Sequence, residues 1–120
     1  EDAAEAKALS GADGVMIGRG AYGRPWFLRQ VMDYLRDGTR RPAPGLARRQ
    51  SVMLEHYEGL LELYGQRHGV RIARKHLGWY AKGLEGAAEF RARMNREEDA
   101  CCFRAMRGAF FEFSGDNAAA

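Results

Sequence analysis

Between Leu63 and Leu84 the chain has no acidic residue, although Arg67, Arg71, Arg74, Lys75 and Lys82 all fall there. Uncompensated charge of this kind points to an anionic partner more directly than the overall balance does, which is only +3. Other absences narrow the field further. No apolar run approaches the roughly 18 residues that a membrane span needs, and no charged-then-apolar leader is present, so a soluble cytoplasmic protein with no membrane partner is expected. The only cysteines, Cys101 and Cys102, are adjacent. Neighbouring cysteines rarely bridge because the ring strains the peptide, and reduced thiols fit a cytosolic setting. No spacing of His, Cys or carboxylate makes a metal site, since these two cysteines stand too close for the usual zinc pair. There is no internal repeat or low-complexity tract. At 46% hydrophobic and 29% charged, the composition is globular rather than disordered.

The most informative segment lies near the start. Asp2 to Leu9 reads as helix and Ser10-Gly11 stops it. Val15, Met16 and Ile17 then make a continuous apolar run, as expected for a parallel strand covered on both faces, and Gly18-Arg19-Gly20 follows as a glycine turn. Helix, strand, glycine turn is the expected last repeat of a β/α protein, with the chain read as the tail of an enzyme. A parallel strand needs parallel neighbours, and the chain supplies none. Pro25 opens a helix of about a dozen residues, where its missing N–H costs nothing. Trp26, Phe27, Val31, Tyr34 and Leu35 supply that helix's apolar side.

Two prolines and two glycines between Gly38 and Gly45 mark a linker at 38–45, after a first unit at 1–37. Beyond it the periodicity is helical. Met53, Tyr57, Leu60, Leu61 and Tyr64 line one face of a helix over 46–64. Gly65 and Gly69 are expected to bracket a turn, and Val70, Ala73, Leu77 and Tyr80 to line a helix over 70–82. A short helix over 87–94 follows. Asn95 is the expected N-cap of a fourth, with Cys102, Met106, Ala109, Phe110 and Phe113 as its apolar stripe and Glu97, Glu98 and Asp99 in its first turn, complementing the dipole. The expected fold is mainly α: an antiparallel helical bundle over 46–114, preceded by the last β/α unit of a truncated TIM barrel, with a disordered tail at 115–120.

Two groups of residues carry candidate chemistry. A glycine turn at the carboxyl end of a strand lets backbone approach a ligand, and phosphate is the natural guest of the helix N-terminus that follows. Gly18 and Arg19 are the candidates, against the plain alternative of a tight strand-to-helix turn. On the second helix, Arg74 and Lys75 stand three and four residues after Arg71, and Lys82 seven after Lys75, so all four share a face. Such a stripe tracks a phosphate backbone, with His76 and Trp79 at its border able to stack or hydrogen-bond. The alternatives are a solvated charged face, a His76 that lines the bundle and a Trp79 that anchors helices. Cys102 reads as core.

Gly11-Ala12-Asp13-Gly14-Val15-Met16-Ile17-Gly18-Arg19-Gly20-Ala21, with Gly23-Arg24-Pro25-Trp26 after it, resembles the end of the flavin barrel in bacterial tRNA-dihydrouridine synthases. Gly69-Val70-Arg71-Ile72-Ala73-Arg74-Lys75-His76-Leu77-Gly78-Trp79-Tyr80 resembles the signature of that family's carboxyl-terminal helical domain. The resemblance implies a monomeric enzyme that reduces a uridine in tRNA to dihydrouridine, taking hydride from NADPH through FMN. It places the FMN phosphate on Gly18 and Arg19, and tRNA on the helical domain through Arg71, Arg74, Lys75, His76 and Lys82. The proton-donating cysteine of the family lies on a barrel loop upstream, so no catalytic residue is expected here and the fragment alone is expected to be inactive. Two other readings stay open: another flavin or sugar-phosphate barrel with a packing tail, and a non-enzymatic helical adaptor that binds a protein.

Overall fold

A computed structural model of the chain describes the backbone of residues 1–119, and the side chains of all of these except Phe103, Arg107 and residues 113–119. Among the described residues it contains six α-helices: α1 (Asp2–Ser10), α2 (Trp26–Asp37), α3 (Leu46–Tyr64), α4 (Gln66–Tyr80), α5 (Ala87–Met94) and α6 (Ala100–Ala119). A single 3-10 turn at Arg19–Ala21 lies between α1 and α2. The chain divides into two compact units, Glu1–Pro44 and Gly45–Ala120.

In the first unit, α1 ends on Gly11 and α2 on Gly38, both in the left-handed region at φ 69° and 77°, where a side chain would be strained. Pro25 stands immediately before α2. The strand expected at Val15–Ile17 does not form, and no strand occurs among the described residues. An isolated extended segment has no neighbour to take its alternating N–H and C=O groups, so a stretch with strand composition stays irregular. Met16, expected to be covered, is 89% exposed. The first unit thus shows the expected helices and glycine turn without the expected strand.

Asp33 is the one fully buried polar side chain among the described residues, and the first unit has no fully buried apolar one. Arg29 and Arg36 contact its carboxylate at 3.2 Å each, one turn before and one turn after it on α2, and Arg41 closes the third side from the following loop. Burial alone would raise the Asp33 pKa. Hydrogen bonds from Arg41 and Arg29, and their charges, outweigh it and hold the carboxyl below its ordinary range.

The second unit is built on a helical hairpin. Gly65, at φ 77° and ψ 166°, alone joins α3 to α4; it donates to Leu61 O at 2.9 Å and accepts from Gly69 N at 2.8 Å. That backbone region is open essentially to glycine only. The helices run antiparallel, with Tyr64 against His68 near the turn and His56 against His76 and Tyr80 further away. Gly69 is not part of a turn. It is buried within α4, where an added Cβ would lie 2.8 Å from Leu60 O and 2.9 Å from the Leu61 Cα, so its role is to let two backbones touch. Helix α4 consequently begins at Gln66 instead of residue 70, and it ends at Tyr80, leaving Lys82 in the turn beyond it.

The core is Met53, Tyr57 and Leu61 from α3 with Val70, Ala73, Leu77 and Tyr80 from α4, capped by Phe90 and Met94 of α5 and by Phe110 and Phe111 of α6. The rings of Phe90 and Phe110 stack at 4.2 Å. Tyr57 donates its hydroxyl proton to Ala100 O at 3.1 Å, and Arg104 pairs with Glu58, tying α6 to α3. The apolar stripe expected on α6 holds only in part: Phe110 is buried, Met106 half-buried, and Ala109 and Cys102 exposed. Phe113 and the tail expected at 115–120 involve side chains outside the described residues. Asp99, not Asn95, caps α6, accepting from the amides of Cys101 and Cys102 at 2.8 and 2.9 Å. Asn95 instead sits at the end of α5.

Candidate nucleic-acid interface and phosphate turn

The glycine turn lies wholly in the first unit. Ala21 donates to Gly18 O and Tyr22 to Arg19 O, each at 3.1 Å, so the amides of Arg19 and Gly20 come ahead of the first bonded ones. Gly18 and Arg19 are exposed, and no atom lies within 4 Å of where a Cβ on Gly18 would stand. The turn is braced from behind by Arg24, whose Nε donates to Gly20 O at 2.7 Å while its guanidinium lies 4.1 Å from the centre of the Phe27 ring. Two leading amides and an exposed guanidinium at an open glycine can accept an anionic group.

The basic face lies wholly in the second unit. Arg71 and Lys75 are exposed on α4, as is Lys82 in the turn that follows. Arg74 differs from them: it is half-buried, its Nη2 donates to the backbone carbonyl of Glu97, and its Nε is buried without a hydrogen-bond partner among the described residues. The four cations therefore do not act as one flat stripe. Arg71 and Lys75 face solvent, Arg74 turns towards α5 and the loop before α6, and Lys82 has left the helix.

His76 is half-buried, edge-on to His56 at 4.7 Å and to Trp79 at 5.2 Å between ring centres. His56 Nδ1 lies 3.2 Å from the Tyr80 hydroxyl. Burial lowers the pKa of both imidazoles, with the neighbouring His56 adding to the effect on His76, and raises the Tyr80 hydroxyl to about 12. Both shifts favour the neutral imidazole near pH 7.

Residues Arg74, Lys75, Gly78 and Trp79 of α4 and Arg91 and Asn95 from α5 and its end line a recess of about 310 Å³. Arg91 and Asn95 carry no signal in the basic stripe of α4, and the periodicity of α5 points only to its buried face. Gly78, a poor helix former inside an otherwise regular helix, is the one hint of a close approach there. Cys102, read from sequence as core, is exposed; the carboxylates of Glu97 and Asp99 raise its thiol pKa, the opposite of what a reactive thiolate requires. Among the described residues no group of three or more His, Cys, Asp or Glu is placed to hold a metal ion, and no helix is long and apolar enough to cross a membrane.

The second unit thus carries an acid-free basic stretch bordered by aromatic rings, and the first an open glycine-arginine turn. The family described as dihydrouridine synthase (Dus) matches residues 1–107, and the chain belongs to it. It is 46% identical over 109 residues to a probable tRNA-dihydrouridine synthase of Rickettsia conorii, covering 91% of this chain and 33% of that protein. It is 52% identical over 90 residues to tRNA-dihydrouridine synthase B of Pseudomonas aeruginosa, covering 75% of this chain and 27% of that protein. The chain thus spans about a third of the length of the curated relatives it matches. Membership of this family favours the first of the three readings over an unrelated barrel or an adaptor.

Proposed function

We propose that this chain forms the carboxyl-terminal part of a tRNA-dihydrouridine synthase, which reduces uridine to 5,6-dihydrouridine in tRNA, and that the second unit is its tRNA-binding domain. The observation that carries this reading is the acid-free basic face of α4 in a member of the dihydrouridine synthase family. Arg71, Lys75 and Lys82 meet the phosphate backbone, and Arg74 and His76 contribute from the half-buried edge. Gly18 and Arg19 hold the phosphate of FMN, with the Arg19 and Gly20 amides and the Arg19 guanidinium compensating its charge. FMN, reduced by NADPH, supplies the hydride for the uridine double bond. No side chain of this chain serves as the proton donor, so the chain alone binds and positions and does not catalyse. The enzyme acts as a monomer in the cytoplasm.

The test is a titration of the chain with unmodified tRNA at two salt concentrations, with duplex DNA of similar charge as competitor. Salt-sensitive binding that prefers tRNA is expected. Replacing Arg74 and Lys75 together by Glu should weaken it by about a hundredfold and flatten its salt dependence. Equal affinity for tRNA and DNA, or no effect of the double change, would remove the basic face from the account.

A further inference from the structure

The recess over Gly78 has properties that an exposed basic stripe lacks. Arg74 and Lys75 from α4 and Arg91 from α5 converge on it, and none of its lining residues among those described is a carboxylate. Three cations from two helices with no carboxylate among the lining residues give the recess a positive potential that favours an anion. Arg74 carries a second mark of a missing acceptor, the buried Nε with no hydrogen-bond partner among the described residues.

Its geometry depends on a glycine. A Cβ at residue 78 would meet the Arg91 side chain at 3.3 Å from Cδ and 3.5 Å from Cγ, so the bare backbone of α4 lets the stem of Arg91 cross it closely. The recess holds about 310 Å³. That is the lower end of the range for ligand sites, about 300 to 1,000 Å³, and suits one small unit rather than a duplex groove. Trp79 brings an aromatic surface on which a base or ribose can rest, and Asn95 an amide able both to donate and to accept.

We propose that this recess is the seat of a single nucleotide of the bound tRNA, with Arg74, Lys75 and Arg91 holding its phosphate and Trp79 and Asn95 contacting its ribose and base. The inference rests on the tRNA-binding reading and adds to it a discrete site and two residues of α5 and its end, Arg91 and Asn95. It separates two arginines that charge alone does not. Arg91 lines this recess, whereas Arg93, on the same helix, lines a different one with Phe90, Met106 and Phe110.

The experiment uses the full chain with Trp26→Phe, which leaves Trp79 as the only tryptophan. An unmodified tRNA transcript is titrated at low salt while Trp79 emission and binding are followed together. Emission of Trp79 is expected to change on binding. Arg91→Gln should weaken binding about tenfold, and Arg93→Gln by less than about threefold, for the same loss of charge. Gly78→Ala, which favours the helix and so keeps the fold, should weaken binding as well by displacing the Arg91 stem. Binding with silent Trp79 emission and equal effects of the two arginine changes would overturn the nucleotide seat and leave the basic face standing. Failure of the unaltered chain to bind tRNA would overturn both.

Discussion

The two units of this chain bury opposite things. Glu1–Pro44 encloses a charge, Asp33, with three arginines around it, and leaves Leu9, Met16, Tyr22, Leu28 and Met32 exposed. Gly45–Ala120 encloses side chains from Met53 to Phe111 and, among the described residues, places its arginines on the outside or at the edge. Burial of apolar surface supplies most of the free energy of a fold, and a charge sealed in by its partners holds geometry more than it adds stability. The second unit therefore has the makings of an independent domain. The first leaves much of its apolar surface uncovered.

The largest expected consequence of this contrast is in amide exchange. Protection at Val70, Ala73 and Leu77 should exceed that at Val15 and Met16 by on the order of a thousandfold, because only the former lie in a core whose opening is a cooperative event. Comparable protection at Val15 and Met16, read by hydrogen–deuterium exchange, would mean that the first unit holds together without an apolar core.

A change at the hairpin contact sharpens the comparison within the second unit. Gly69→Ala places a methyl group 2.8 to 2.9 Å from backbone atoms of Leu60 and Leu61 that cannot step aside. The loss should be about 2 kcal/mol, well beyond the gain in helix propensity, in urea denaturation of the second unit. Gly59→Ala on α3, where no atom lies within 4 Å of the new methyl, should instead stabilise by about 0.5–1 kcal/mol. Equal effects of the two would show that the hairpin is looser than its geometry.

The smallest effect is the response to acid. His56 and His76 have pKa values lowered by burial in the folded chain, so the unfolded chain binds more protons as pH falls through the ordinary histidine range near 6.5. Stability is full above that range and declines below it. A fall of a few degrees in the thermal midpoint of the second unit between pH 7.5 and 5 is expected, and His56→Gln should reduce it. A midpoint that holds or rises towards pH 5 would place these imidazoles in water.

Much of the second unit was legible in the sequence, because burial there follows the helical period. The bounds of α3 and α5 agree with their expected spans, and the buried faces of α3 and α4 follow the spacing of Met53, Tyr57 and Leu61 and of Val70, Ala73, Leu77 and Tyr80, although Tyr64, expected on the same face of α3, is exposed and Leu60 only half-buried. What was hidden shares one cause. Gly69 and Gly78 look like punctuation in a single strand of text, yet each serves a second helix that crosses it. Asp99 takes the capping role expected of Asn95 because α6 begins at Ala100, and Asp99 stands immediately before its first residue. The strand at Val15–Ile17 could be read as a strand because its composition assumes neighbours, and composition does not say whether they are present. Arg91 and Asn95 were invisible as site residues because a recess between two helices leaves no period in either one.

Gly65 has a consequence in time as well as in shape. A link of one residue makes closing the α3–α4 hairpin nearly free of loop entropy, and contacts such as Leu61 with Gly69 span few residues of chain. Helical proteins dominated by such short-range contacts find their structure quickly. The surface that would meet RNA is thus carried by the stretch of chain with the shortest conformational search, and it can be in place before the longer-range docking of α6 is complete.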